Sequence, residues 1–171
     1  MDRFVEATIS FVQNHAAWGA AIVFLLAFSE SFAFVSLLVP ATGILFGVGG
    51  LMALYRLDFW PIWTAAALGA FAGDWLAYAL TLRFKDRIAR LPPLASNPQL
   101  MARGIKFFDR WGLLAVFGGR FFGPLRAVVP IVAGLYAMPW IKFQAANLAS
   151  ALLWASAILS PGFFGVRWLV G

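Results

Sequence analysis

Cysteine is absent from this 171-residue chain, and His15 is its single histidine. Disulfide bonds, thiolate chemistry and a metal site built from histidine and cysteine are therefore excluded. No nucleophile stands with a convincing base in the sequence, so we expect neither enzymatic activity nor a bound cofactor or metal.

Charged residues are also scarce, since 12% of the chain is charged and 63% is hydrophobic, with a mean hydropathy of +0.85. These values lie outside the range of a soluble domain and predict an all-α integral membrane protein. We expect a single multi-pass membrane domain over residues 1–171, with no sizeable part outside the membrane.

The few charges are unevenly distributed, because seven basic and only two acidic residues fall between residues 83 and 110. The positive-inside bias makes this basic connection cytoplasmic, so the excess of basic residues does not call for a nucleic-acid partner. It separates a first half, residues 16–82, from a second half, residues 111–166. Residues 1–15 carry mixed charges before a long apolar region, so we expect no cleavable signal peptide. The side of the N-terminus stays open.

The charge-poor sequence forms four hydrophobic blocks at residues 16–55, 59–82, 111–141 and 143–166. The second and fourth contain 24 residues each, close to the ~20 that cross a bilayer as one helix. As single helices the first and third blocks would extend about 60 and 46 Å, too far for one crossing. We therefore predict that each of them folds back as a re-entrant helical hairpin.

Proline and glycine mark the places where these two blocks are predicted to break. Such breaks imply a cavity, because non-helical backbone inside a bilayer must be buried in protein or face water. The candidate residues are Pro40 and Gly43 in the first block, and Gly123, Pro124, Pro130 and Gly134 in the third.

The landmarks of the two halves also follow one another in a similar order. Glu30 precedes Pro40 by ten residues, Arg120 precedes Pro130 by ten, and a full span follows in each half. Inverted copies of one unit would bring two hairpins together near the midplane of the membrane, as in many secondary transporters. The sequence alone leaves a chance similarity open.

Four ionisable residues lie deep inside the hydrophobic blocks and form the candidate site: Glu30, Asp74, Arg120 and Arg126. Each is expensive at bilayer depth, by roughly 2.5 to 3.5 kcal/mol, and is expected to have a partner and a function. A break at Gly123 would let both guanidinium groups converge on one ligand or one pair of carboxylates. The structural alternatives are arginines that reach the headgroups and an aspartate paired only for packing.

Other polar and small residues are interpreted structurally. Gly69 and Gly73 form a small-xxx-small pattern that favours close helix packing. Asp74 and Tyr78 share one helix face, one turn apart. A polar stripe in the last span predicts hydrogen bonds between helices and consists of Gln144, Asn147 and Ser150.

The stretch from Arg120 to Arg126, followed by Val129-Pro130, resembles the signature of the DedA family of the VTT superfamily. The helix from Gly69 to Tyr78 and the first hairpin with Glu30 and Pro40 are similar to the corresponding family segments. The resemblance implies two opposed re-entrant hairpins in a multi-pass protein of the bacterial inner membrane. It also implies movement of undecaprenyl phosphate or phospholipids across the bilayer, often linked to the proton motive force.

The resemblance carries function over to four positions, with Arg120 and Arg126 binding substrate and Glu30 and Asp74 in proton coupling or charge pairing. One departure is Thr42, because the family usually has an acidic residue there; this puts the usual proton coupling in doubt. We therefore predict a flippase or scramblase for a phosphate-bearing lipid, with proton coupling left open. The alternatives are a small-ion or proton antiporter and a structural scaffold. The lipid, the driving force and a homo-oligomeric state stay undetermined.

Overall fold

The computed structural model describes residues 16–32, 41–90 and 98–170, and within these ranges every regular element is helical. The all-α prediction is confirmed for this part of the chain. The helices are α1 (Ala16–Ser31), α2 (Ala41–Leu54), α3 (Phe59–Arg83), α4 (Lys85–Ala89), α5 (Pro98–Trp111), α6 (Leu113–Gly119), α7 (Gly123–Leu135) and α8 (Trp140–Val170).

Among the described residues, two helices, α3 and α8, are long and apolar enough to cross a membrane. They coincide with the blocks predicted as simple spans. Helix α8 begins at Trp140, before the predicted start at residue 143. Lys142 does not delay it, because this side chain is exposed near the helix end and reaches the surface.

The predicted break at Gly123 and Pro124 is confirmed, because the chain turns over residues 120–122 and α7 begins at Gly123. A proline in the first helical turn fits this position, since its missing N–H would have no partner there. The predicted break at Pro130 and Gly134 is wrong, because both residues lie inside α7. Pro130 removes one helical hydrogen bond, yet it is fully buried and its packing offsets that loss.

The break predicted at Gly43 is also wrong, because this residue lies in the first turn of α2. A glycine inside a helix costs only about 1 kcal/mol relative to alanine, which does not end a helix that packs along its length. Pro40, the partner in that prediction, lies outside the described residues, as does the segment 1–15.

Helices α1 and α2 form one pair and α6 and α7 form another. In each pair, one helix packs against α3 and the other against α8. Helices α1 and α7 pack against α3, whereas α2 and α6 pack against α8, and α3 also contacts α8. The α1–α3 contact is close because Gly69 and Gly73 face the backbone of Phe24 and Phe28. The predicted small-xxx-small packing is therefore confirmed, and the order of these contacts makes α1 and α3 parallel.

The long helices α3 and α8 run in opposite directions. Phe59 at the start of α3 contacts Phe163 near the end of α8, with ring centroids 5.1 Å apart. Tyr78 towards the end of α3 stacks on Phe143 near the start of α8, at 4.2 Å. The two halves of the chain therefore end in antiparallel helices.

The turns that lead into α3 and α8 have the same backbone conformation. Arg56 and Ala137 are the two non-glycine residues with positive φ in the described part of the chain, at 53° and 51°. In both turns the next residue donates its backbone N–H to the carbonyl five positions earlier. The halves thus share their connection as well as their packing.

Polarity is arranged with charge inside and apolar side chains outside. Among the residues whose burial is described, the buried charged ones are the four of the candidate site. Large apolar side chains instead cover the outer surface, among them Trp18, Leu114, Ile141 and Trp168. This arrangement suits a lipid environment, where the outer surface has no water to meet.

Tyr78 fastens the turn between α7 and α8. Its hydroxyl donates a hydrogen bond to the backbone carbonyl of Met138 at 2.6 Å. The side chain is buried on the same helix face as Asp74, but its hydrogen bond goes to the turn rather than to that carboxylate.

Tyr78→Phe is expected to lower the free energy of unfolding by about 1 to 3 kcal/mol, because it leaves a buried carbonyl without this donor. The ring stack on Phe143 stays intact in this variant. Unfolding in detergent measures the loss, with Tyr55→Phe at an exposed tyrosine as the matched control. Equal stability of both variants would contradict this role for Tyr78.

Candidate functional site

Arg120 lies in the turn between α6 and α7 and is 4% exposed. Its Nη2 forms an ion pair with Asp74 of α3 and donates a hydrogen bond to Asn147 Oδ1 of α8. Its Nε donates to Ser150 Oγ at 3.1 Å. Asn147 is itself held, because its Nδ2 donates to the carbonyl of Phe71 at 3.0 Å. One guanidinium therefore joins both long helices.

Arg126 lies in the first turn of α7 and is 6% exposed. Its Nη1 donates to Glu30 Oε1 at 2.7 Å, and its Nη2 donates to Ser31 Oγ at 2.9 Å. The guanidinium also lies over the ring of Trp154, with its central carbon 4.3 Å from the ring centroid. This cation–π contact adds stabilisation where the charge is removed from water.

The two ion pairs adjoin each other. Ser31 packs against Gly73, the residue before Asp74, so closely that a Cβ atom on this glycine would lie 2.7 Å from Ser31 Cβ. Asp74 also lies within electrostatic range of both arginines. Two positive and two negative side chains thus share one buried cluster, which is the condition under which buried charges are tolerated.

The cluster lies away from both ends of α3, a helix long and apolar enough to cross a membrane. Along α3, Asp74 is about 22 Å from the Phe59 end and about 14 Å from the Arg83 end, at 1.5 Å per residue. Arg120 and Arg126 are both buried and paired with acids, so arginines that extend to the headgroups are not what the structure contains.

All four charged residues predicted for the site are brought together, whereas their roles in substrate binding and proton coupling stay predictions. The polar stripe is partly confirmed, because Asn147 and Ser150 do bond across helices, to Arg120. Sequence reasoning missed Ser31 and Trp154. The available signals were the adjacency of Ser31 to Glu30 and the position of Trp154 one turn after Ser150.

Several buried polar atoms in the cluster have no hydrogen-bond partner among the described residues. They include Asp74 Oδ1, Arg120 Nη1 and Arg126 Nε. Buried polar groups in proteins nearly always have partners, so this unused capacity suits water or a polar ligand. The described residues do not gather three acidic or histidine side chains as a metal site would require.

Outside the spanning segments, Tyr136 in the turn after α7 donates a hydrogen bond to Asp109 of α5. This bond raises the pKa of the Tyr136 phenol above its usual value, because deprotonation would place two negative charges together. It ties the end of the basic connection to the second half of the chain.

Comparison with known protein families gives a match over most of the chain. The VTT domain family matches residues 36–164 of the chain. This chain belongs to the VTT-domain family. The match includes Asp74, Arg120 and Arg126, and it confirms the resemblance to DedA proteins drawn from the arginine motif.

Several membrane proteins are similar to this VTT-domain chain. It is 34% identical to the inner membrane protein YabI of Escherichia coli over 152 residues, which cover 89% of the chain and 60% of YabI. It is 32% identical to the inner membrane protein YghB of Escherichia coli over 148 residues, 83% of the chain and 65% of YghB. The chain thus spans less than two thirds of either relative, and no solved structure matches it. These relatives support a membrane protein.

Proposed function

We propose that this protein moves a lipid with an anionic phosphate headgroup across the bacterial inner membrane. The observation that carries the proposal is the buried cluster in which two arginines retain hydrogen-bond donors that no described residue accepts. A guanidinium presents a planar fork that holds phosphate oxygens in pairs, so Arg120 and Arg126 suit this headgroup.

The two carboxylates of the cluster occupy arginine donors that a phosphate group would use. In the structure Asp74 and Glu30 neutralise Arg120 and Arg126, respectively. An entering phosphate competes for the same donors, and protonation of a carboxylate releases its arginine to bind it. A proton gradient would drive transport through this exchange, with Glu30 as the acid of the first hairpin because Thr42 replaces the usual second one.

The helix lengths support re-entrant hairpins on either side of this cluster. Helices α6 and α7 contain 7 and 13 residues, or about 10 and 20 Å, and α1 and α2 are also too short for a 30 Å core. We infer that the α1–α2 and α6–α7 pairs enter and leave on one side each, whereas α3 and α8 cross. The protein is then multi-pass, with the basic connection at residues 83–110 in the cytoplasm.

The shared turns and packing support an inverted repeat of the two halves. Each hairpin contributes its first arm to its own long helix and its second arm to that of the other half. Because α3 and α8 are antiparallel, the halves point in opposite directions. Opposed hairpins of this kind meet near the midplane, where transporter folds hold their substrates.

Arg126→Gln is expected to slow headgroup movement by about 10- to 100-fold, since a hydrogen bond to a charged group contributes about 1.5 to 3 kcal/mol. The assay follows a fluorescent lipid with a phosphate headgroup in proteoliposomes and its access to a membrane-impermeant quencher. Lys142→Gln, an exposed basic residue outside the cluster, is the control and keeps the wild-type rate.

Undiminished lipid movement in both Arg126→Ala and Arg120→Ala would overturn the proposal. Substrate-dependent pH changes in the same vesicles, without lipid movement, would instead favour the small-ion or proton antiporter.

A further inference from the structure

A cleft of about 1010 Å³ opens at the end of the molecule opposite the basic connection. It lies between the turn into α3 and the C-terminal half of α8, away from the buried ion pairs. Five aromatic side chains form its walls and contact one another: Phe59, Trp60, Trp63, Phe163 and Phe164.

Two side chains that line the cleft are held by a hydrogen bond to each other. Trp63 Nε1 donates a hydrogen bond to Ser156 Oγ at 3.0 Å, which joins α3 to α8 at this depth. Ser160, one turn further along α8, adds a second hydroxyl to the lining. The lining therefore combines aromatic side chains with a few hydroxyl groups, as small-ligand sites commonly do.

Two arginines, Arg56 and Arg167, complete the lining, and both are exposed. Asp58 also lines the cleft and is the one acidic residue of the lining, so the two arginines give the cleft an excess of one positive charge. The basic connection places this end on the non-cytoplasmic side, where the positive-inside bias disfavours Lys and Arg. The positive-inside bias therefore does not explain why Arg56 and Arg167 lie at this end.

The corresponding corner at the other end is closed. There Tyr78 fills the space between α3 and the turn into α8, bonding to Met138 and stacking on Phe143. Gly134 also lies tightly against Thr81. The same turn conformation thus borders the cleft at one end and is filled by a side chain at the other, so the turn alone does not produce the cleft.

We propose that this cleft docks a lipid with a phosphate headgroup from the non-cytoplasmic leaflet. Arg56 and Arg167 hold the phosphate, while the aromatic walls pack against the first carbons of the lipid chains. The proposal takes its lipid class from the proposed function, but docking is a separate event at separate residues. The cleft would bind the lipid on the non-cytoplasmic side before the lipid reaches the buried cluster.

The absence of cysteine allows a direct test with single thiols. Ser160→Cys places a thiol in the cleft, and Ala157→Cys places one at similar depth on an exposed part of α8 outside it. Each variant of the full chain is reconstituted in nanodiscs of phosphatidylcholine, with or without phosphatidic acid. Labelling by a hydrophilic maleimide is then timed.

Phosphatidic acid is expected to slow labelling of Cys at position 160 by about tenfold, since each arginine near an anionic lipid contributes a several-fold gain in affinity. Labelling at position 157 should not change. Arg56→Gln with Arg167→Gln should remove the protection, whereas Arg56→Lys with Arg167→Lys should retain most of it and show that the fold persists.

Equal labelling at position 160 in both lipid compositions would overturn the proposal. So would protection in phosphatidylcholine alone that disappears on deletion of residues 2–15, because the occupant would then be the N-terminal segment. Disulfide-linked dimers through position 160 would indicate a second copy instead. Arg120→Ala separates the two proposals: if docking is correct, protection by phosphatidic acid persists in this variant whether or not lipid movement is lost.

Discussion

Replacing Arg120 alone by methionine is expected to stop lipid movement and to lower the free energy of unfolding by about 3 to 5 kcal/mol. The large loss follows because Asp74 stays buried in the apolar centre without its cationic partner. Asn147 and Ser150 lose their guanidinium partner as well. Reversible unfolding in detergent measures the stability, and the quencher assay in proteoliposomes measures lipid movement.

Replacing both members of the pair separates structure from function. Arg120→Met combined with Asp74→Leu removes both charges, and such replacements of buried pairs are often neutral or stabilising. We expect the double variant to recover most of the lost stability while lipid movement stays absent. A double variant that folds and moves lipid at the wild-type rate would contradict the role proposed for Arg120.

The double variant also tests the alternative that the protein is a structural scaffold. If the charges only hold helices together, activity should follow stability and return in the double variant. Lys142→Met, at an exposed position of α8, controls for the loss of a basic residue and should change neither quantity.

Gly73→Val is expected to disrupt the site by a different route, through the contact between α1 and α3. A Cβ atom at this position would lie 2.6 Å from the carbonyl oxygen of Phe28 and 2.7 Å from Ser31 Cβ. The first of these atoms belongs to the backbone, so α1 has to move away. Glu30 and Ser31 would then leave Arg126, which adds the loss of an ion pair to the strain.

Overpacking of this kind lowers the free energy of unfolding by about 1 to 3 kcal/mol, and lipid movement should be lost with the Arg126 contacts. Gly47→Val is the matched control, because no atom lies within 4 Å of a Cβ at this exposed glycine of α2. Wild-type stability and transport in Gly73→Val would show that the close approach of α1 is not required.

The class of protein and the members of its site were predictable from local sequence. Hydropathy located the long helices α3 and α8, and the turn at Gly123 was marked by its neighbouring proline. Deeply placed charges were equally informative, because a lone arginine in a bilayer costs too much to occur without a partner. The arginine motif then identified the family before any contact was known.

Partner choice depended on the tertiary structure. Arg120 pairs with Asp74 of α3 and Arg126 with Glu30 of α1, and no local pattern encodes that choice. Packing also decided that Pro130 remains helical, since many contacts along α7 outweigh one missing hydrogen bond.

The sequence by itself determined that this is a helical membrane protein with four charges in its interior, because transfer of a side chain from water to lipid is a local and large effect. The tertiary structure alone decided how those charges pair and where the aromatic cleft beside Arg56 lies. Both outcomes depend on the relative placement of helices distant in the chain, where many small packing energies are summed. The open cleft beside Arg56 and the end closed by Tyr78 are the clearest instance, since the two turns share one backbone conformation.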